Sequence, residues 1–259
     1  MDLALTDQRV LITAGAAGLG ELMAEAFLAE GARVHVIDID ASSVERFRGA
    51  HPAATAAVGD VSDRDGVRAA VDDAVEKLGG LDVLINNAGI SGPAGMLQDI
   101  DGDGWDAAID VNLTGMFNVS RVAIPHLIAA GAGSILNIAS AAGRLASPTR
   151  SPYAASKWGV VGLTRTLAGE LGPHGIRANV ICPGPMDTER ARRVSLMMAE
   201  DAGVPVERMN ERMLGLMSIR KWVDPREVAR TACFVSSPTL TSFTGAIIPV
   251  DGDCIGIAS

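Results

Sequence analysis

Short apolar runs and longer stretches of helical spacing alternate along the whole chain. Runs of strand length fall at 9–13, 33–38, 55–60, 82–86, 133–140, 176–182 and 245–250. Helical patterns fill the intervals. The first runs from a Gly-rich turn to about Glu30, where Gly31 supplies the stop, and others lie near 41–50, 63–78, 103–129, 152–171 and 225–236. This alternation predicts βαβ units and therefore an α/β fold: a doubly wound parallel sheet of about seven strands with helices on both faces. The helix at 152–171 has clear punctuation, with Ser151 placed to cap it, Pro152 suited to its first turn and Gly172-Pro173 to end it. Two segments leave the weave. Residues 90–104 are rich in Gly, Pro and Asp and read as a loop, while 189–223 is polar, helical in parts and interrupts the path from the sixth strand to the last helix. With no repeat, low-complexity tract or linker, residues 1–259 read as a single domain.

Composition narrows the partners. A net charge of −9 argues against nucleic acid and against an anionic membrane surface. No apolar run is long enough to span a bilayer, and the N-terminus lacks the basic start and apolar core of a signal peptide, so a cytoplasmic location is expected. Cys182, Cys233 and Cys254 are odd in number and widely spaced, which reads as reduced, buried thiols rather than a disulfide or metal framework.

The first turn, Thr13-Ala14-Gly15-Ala16-Ala17-Gly18-Leu19-Gly20, joins a strand to a helix. Glycine there lets backbone approach a pyrophosphate, which sits where the free N–H groups of a helix N-terminus point. Asp38 ends the second strand about 20 residues on, where a carboxylate accepts hydrogen bonds from the adenosine ribose and repels a 2′-phosphate. Ile39 and Asp40 follow it, and no Arg or Lys stands there or in the turn, so NAD is the expected cofactor over NADP. Asp40 fits a helix cap better than Asp38 does.

Tyr153 is the only tyrosine and precedes Lys157, one of three lysines, by four places. In a helix those positions share a face. A phenol is a poor base at neutral pH unless positive charge favours its ionised form. One unit charge ~4 Å away at an effective dielectric of ~20 supplies roughly 4 kcal/mol, enough to bring a phenol into range of neutral acid/base work.

Taken together these residues resemble a short-chain dehydrogenase/reductase of the compact, single-domain kind, over nearly the whole chain. The resemblance rests on the Gly-rich turn, Asp60-Val61, Asn86-Asn87-Ala88-Gly89, Asn112, Ser140, Tyr153-Ala154-Ala155-Ser156-Lys157, Pro183-Gly184 with Thr188, and Val250-Asp251-Gly252. It implies a Rossmann-type fold and hydride transfer between a nicotinamide cofactor and a secondary alcohol or ketone. It further implies that Tyr153 is the general acid/base, that Lys157 tunes it and bonds the nicotinamide ribose, that Ser140 bonds the substrate oxygen, and that Asn112 holds a water in a proton relay. Cofactor contacts are implied at Gly15, Ala17, Gly18, Leu19, Gly20, Asp38, Ile39, Asp60, Val61, Asn87, Ala88, Gly89, Tyr153, Lys157, Pro183, Gly184, Met186 and Thr188. The family's first glycine falls on Ala14 here, and its closing Gly-Gly is Gly252-Asp253. A homo-oligomer, dimer or tetramer, is implied through the helices near 103–129 and 152–171, with the tail Ile255-Gly256-Ile257-Ala258 as an added contact.

Residues 99–110 mimic a calcium loop, with Asp99, Asp101 and Asp103 followed by Gly104 and Asp110. The twelfth position is Asp rather than Glu and little room is left for an entering helix, so an acidic helix cap is the better account and no metal is expected. Six of ten methionines (Met186, Met197, Met198, Met209, Met213, Met217) gather at the segment that covers the substrate in the resembling family, a lid reading that competes with plain core packing. Arg190, Arg192 and Arg193, or Arg144 and Arg150, are candidates for an anionic substrate. The resulting reading is an NAD-dependent dehydrogenase of a small polyol, sugar or hydroxy acid. The alternatives are a 3-oxoacyl-thioester (acyl carrier protein) reductase and, from another class, a non-catalytic NAD-binding sensor.

Overall fold

Val10 and Ile12 point to one side of their strand and Leu11 to the other, and all three are completely buried. A strand with no polar face needs helices on both sides, and the described residues, 2–257 of a computed structural model, supply them. The strands are β1 (Arg9–Thr13), β2 (Arg33–Asp38), β3 (Thr55–Val58), β4 (Val83–Asn86), β5 (Gly133–Ile138), β6 (Ile176–Pro183) and β7 (Ile247–Val250). The helices are α1 (Gly18–Ala29), α2 (Ala41–Ala50), α3 (Arg64–Leu78), α4 (Gly102–Ile109), α5 (Gly115–Ala130), α6 (Ser151–Leu171), α7 (Glu189–Asp201), α8 (Val206–Gly215) and α9 (Pro225–Ser236). Among the described residues the strands form one sheet, parallel throughout, in the order β3-β2-β1-β4-β5-β6-β7. This is the doubly wound Rossmann-type fold.

One face carries α1, α2 and α9, whose Met23, Phe27, Phe47 and Val228 pack on Val10, Ile12, Val34 and Val36. The opposite face carries α3, α5 and α6, with Val71, Leu127 and Leu167 against Leu11, Leu84 and Ile135. The chain winds outward from β1 to β3, then crosses back to place β4 on the other side of β1. At that reversal the connections leave in opposite directions and open a crevice beyond the strand ends, the usual ligand position in such sheets.

The sequence pattern missed some boundaries. The helix at 103–129 is two helices joined by a π-helical turn at Asp110–Thr114. Apolar positions run on through the turn, so periodicity alone does not register it. Ser151 is not a side-chain cap: α6 starts at Ser151 itself, Arg150 is the cap residue, and the buried Ser151 hydroxyl has no partner among the described residues. The acidic segment before α4 behaves as a helix cap, with Asp101 accepting the Gly104 N–H at 2.6 Å. Strands β3, β5 and β7 are shorter than their apolar runs: β3 and β5 give up their last two residues to the loops that follow, whereas Gly245 and Ala246 precede β7. Among the described residues no helix is long and apolar enough to cross a membrane.

Candidate active site

The turn after β1 is shaped by close approaches. A Cβ on Gly15 would lie 2.6 Å from the Val36 Cβ, and one on Gly20 would overlap the Ala14 carbonyl oxygen. Ala14 takes the left-handed conformation (φ 48°) that glycine adopts freely. It is held there by Asn87, whose Nδ2 donates to the carbonyls of Thr13 at 3.2 Å and Ala14 at 3.1 Å. In return, the Thr13 hydroxyl accepts the N–H groups of Asn87 (3.0 Å) and Ala88 (3.1 Å). The loops after β1 and β4 are thus tied together at the switch point. Helix α1 begins without a side-chain cap at Ala17, and Gly18 has open space where a Cβ would stand. Unclaimed N–H groups beside open space are what a pyrophosphate requires, so these residues fit a dinucleotide.

Asp38 is 9% exposed, and its carboxylate accepts the N–H groups of Ala16 (3.1 Å) and Asp40 (3.2 Å). Asp40 caps α2 through Ser42. Ile39 is largely exposed beside it, and Val61 is buried. Asp60 turns one oxygen to the backbone and hydroxyl of Ser62. One neighbour escaped the sequence reading. Arg46 on α2 donates to the Ala16 carbonyl at 2.5 Å and to both oxygens of Glu21 at 2.7 and 3.1 Å. A basic group therefore does stand beside the Gly-rich turn. It lies 30 residues from Ala16 in sequence, where no local motif points to it.

The second half of the site hangs on α6. Tyr153 and Lys157 share a face of its first turns, the Lys157 Nζ 5.8 Å from the phenol ring centroid. Lys157 is only 3% exposed and donates to the Ile138 carbonyl at 2.9 Å. A Cβ on Gly89 would sit 3.3 Å from that ammonium, so a larger residue there would crowd it. The guanidinium of Arg150 also lies over the phenol, 4.5 Å from the ring centroid. Ser140, just beyond β5, accepts the Ala142 N–H at 3.2 Å, which leaves its own proton to donate. Asn112, on the π-helical turn, is fully buried. Its amide brackets the backbone of Ile90 (2.7 and 3.0 Å) and donates to Ser156 at 3.0 Å, so the side chain fixes the β4 loop against α6.

A cavity of about 480 Å³ brings these pieces together. Ala17, Gly18, Leu19, Asn87, Gly89, Ser140, Tyr153, Lys157, Pro183, Gly184, Met186 and Thr188 all line it. Gly15, Gly20, Asp38, Ile39, Asp60, Val61, Ala88 and Asn112 do not; they shape or flank it. Thr188 caps α7 through the Ala191 N–H at 3.2 Å. The methionines divide: Met186 and Met213 reach the cavity, whereas Met209 and Met217 are buried in the core. Of the C-terminal tail, Gly256 and Ile257 line the cavity together with the preceding Cys254, Ile255 is exposed, and Ala258 lies outside the described residues. Arg144 faces Asp251, not an open site, in an ion pair whose carboxylate is 3% exposed. Burial pushes the Cys182 thiol up to about 11 and Cys233 up to about 12, and raises Cys254, so all three are inert thiols at neutral pH.

The chain resembles known proteins over almost its full length. The sequence profile of a family described as enoyl-(acyl carrier protein) reductase matches residues 14–253. A 3-oxoacyl-[acyl-carrier-protein] reductase of Thermotoga maritima is 35% identical over 249 residues, 95% of this chain and 96% of the relative. The crystal structure of an NAD+-bound xylitol dehydrogenase superposes with a TM-score of 0.91 at 27% identity, covering 96% of this chain and 99% of the other. A single-substitution variant of actinorhodin polyketide ketoreductase with NADPH gives 0.89 at 32% identity, covering 95% and 97%.

Proposed function

The chain belongs to the short-chain dehydrogenase/reductase family, and from that premise we propose an NAD-dependent oxidoreductase of small secondary alcohols and ketones, in the polyol, sugar or hydroxy-acid class. One observation carries the reading: a single cavity is lined at once by the uncapped start of α1 and by Ser140, Tyr153 and Lys157. When bound there, the nicotinamide takes up or supplies a hydride at its C4.

The chain's own residues handle the proton and the oxygen. In oxidation, the ionised Tyr153 oxygen takes the carbinol proton while the carbinol hydrogen leaves as hydride; reduction runs the reverse. Lys157 and Arg150 hold positive charge near the phenol and stabilise its ionised form. Ser140 donates its hydroxyl proton to the substrate oxygen as negative charge develops there. Asn112 acts as a positioning residue through Ile90 and Ser156, and a relay water would meet its backbone carbonyl, its amide being occupied. Pro183, Gly184, Met186 and Thr188 bound the nicotinamide end, and Gly18 with Leu19 the pyrophosphate. Asp38 takes the ribose hydroxyls, Ile39, Asp60 and Val61 flank the adenine, and Ala88 with Gly20 and Gly15 keeps the surrounding backbone close. Helices α7 and α8 serve as the lid over residues 189–223. The exposed Phe117 and Trp158, on α5 and α6, favour a homo-oligomer through those helices.

Asp38 favours NAD, since a 2′-phosphate there meets a carboxylate. Arg46 favours the second reading, a 3-oxoacyl-thioester reductase like the Thermotoga relative, because its guanidinium could turn from Glu21 toward a 2′-phosphate. Titration of Trp fluorescence with NADH and NADPH separates them. NADH binding at least tenfold tighter, about 1.4 kcal/mol, is expected; equal or tighter NADPH binding puts the thioester reductase first. Tyr153→Phe is expected to cut turnover at least a hundredfold with NADH affinity unchanged. Near-normal turnover would remove Tyr153 as the acid/base; a parent chain that binds NADH but turns over no alcohol or ketone would put the non-catalytic sensor first.

A further inference from the structure

A second cavity, of about 740 Å³, adjoins the first, and the two share Gly89, Ser91, Arg150, Arg193 and Val194 in their walls. Two of those five are arginines, in a chain of net charge −9. The rest of the outer cavity is mostly apolar, with Ile90, Met96, Met197 and Met198 and no carboxylate among its described lining residues. Glu189 is the one carboxylate among those described for the inner cavity. The other cation at the inner cavity, Lys157, is buried against the Ile138 carbonyl. Positive charge facing a substrate therefore concentrates where the two cavities meet.

Resting on the proposed hydride-transfer reading, we infer that the substrate carries a carboxylate bound by Arg150 and Arg193: it is a short hydroxy acid, or the matching oxo acid. The position of Arg150 sets the spacing. Its guanidinium lies 4.5 Å from the centroid of the phenol that takes the carbinol proton, so an anion on Arg150 sits only a few bonds from the reacting carbon. Arg193, on α7, the lid helix, lines both cavities as Arg150 does, so an anion held by the two engages the lid as well as the floor. Planar guanidinium groups suit carboxylates geometrically, and apolar walls that exclude water strengthen the pairing. The remaining volume of the outer cavity takes the apolar part of the acid. Of the other candidates, Arg144 and Arg192 are not among the residues described as lining either cavity, and the Arg190 side chain lies outside what is described.

The test reads binding and turnover separately. Calorimetric titration of the NADH-loaded full chain uses short hydroxy acids with the hydroxyl on the second, third or fourth carbon, each beside its methyl ester. At least one acid is expected to bind about tenfold tighter than its ester, and Arg150→Met and Arg193→Met are each expected to bring that ratio within about threefold. Arg150→Gln serves as a second removal of the charge should the Met variant melt early. An ester that binds as well as every acid, or a preference that survives both substitutions, overturns the inference. An arginine-dependent preference confined to acetoacetyl-CoA over the uncharged N-acetylcysteamine thioester also overturns it and gives the pair to a carrier phosphate. Turnover of the same compounds with NAD and NADP reports on the parent reading. Arginine-dependent acid binding without oxidation of any member supports the anion site while counting against the dehydrogenase.

Discussion

Arg144 and Asp251 form an ion pair that ties together segments following two strands of the sheet. The pair joins the turn after β5, which presents Ser140, to the residue that follows β7. Arg144→Met leaves the Asp251 carboxylate, 3% exposed, with the Asp253 N–H at 3.1 Å as its remaining partner among the described residues. Stranding a buried charge costs about 3–5 kcal/mol. Arg144 is 27% exposed, and water entering by its place solvates part of the stranded charge, so the lower figure, about 3 kcal/mol, is the working value. For a chain of this size that lowers Tm by roughly 6–12 °C. Asp251→Asn strands only the part-exposed guanidinium and should cost about 1 kcal/mol. The double variant Arg144→Met/Asp251→Asn should then cost about 2 kcal/mol, about 1 kcal/mol less than Arg144→Met alone and about 2 kcal/mol less than the sum of the two singles. Thermal unfolding followed by circular dichroism checks all four proteins. A Tm loss under about 2 °C for Arg144→Met, or a double variant at the sum of its singles, would refute the reasoning. Kinetics give a second reading. A brace behind the cavity predicts equal loss for an acid and its ester, whereas a substrate contact predicts loss for the acid alone.

Two other perturbations follow from the same kind of reading. Ala14→Gly relieves a left-handed alanine, worth about 1–2 kcal/mol, against about 0.4–1 kcal/mol of added chain entropy; the denaturant midpoint should rise, and a fall would show the φ of 48° to be unstrained. His35 is completely buried, its Nδ1 is 2.8 Å from the Thr55 hydroxyl, and burial lowers its pKa to about 4 from 6.5. The unfolded chain then binds a proton that the folded chain refuses. Stability is therefore whole above about pH 6.5 and falls by up to about 3 kcal/mol as pH drops toward 4. In urea titrations at about pH 7 and about pH 4.5, His35→Gln should lose less stability between the two than the parent; parallel losses would contradict the assignment.

The chemical end of the site was legible because its parts are local. A Gly-rich turn between strand and helix, a Tyr and a Lys one helical turn apart, and Asp38 at a strand end each bring their chemistry together within a few residues. The alternation of buried strands with amphipathic helices likewise gave the sheet, since β1 to β7 are set by their own apolar runs. The π-helical turn at Asp110–Thr114 left no mark because its apolar residues continue the helical pattern; what holds Asn112 there is Ile90, far back in the chain.

The substrate end was not legible, and the reason is visible in two arginines six residues apart. In sequence, Arg144 and Arg150 are equivalent candidates between Ser140 and Tyr153. What separates them is where the fold puts them: Asp251, 107 residues away, arrives from beyond β7 to pair with Arg144 outside the described cavity walls, while Arg150 lies across the phenol at the meeting of two cavities. Arg46 obeys the same rule, acquiring a place beside the Gly-rich turn only when α2 packs near α1 and Glu21 takes up its guanidinium. The cavity wall is assembled from the β4 loop, the start of α6, helices α7 and α8, and Cys254, Gly256 and Ile257, each from a different region of the chain. Local spacing encodes a reaction common to many substrates. Selectivity is written in contacts between distant segments, so the proposed acid substrate is to be sought by varying Arg150, Arg193 and the methionines of the outer cavity rather than Ser140, Tyr153 and Lys157.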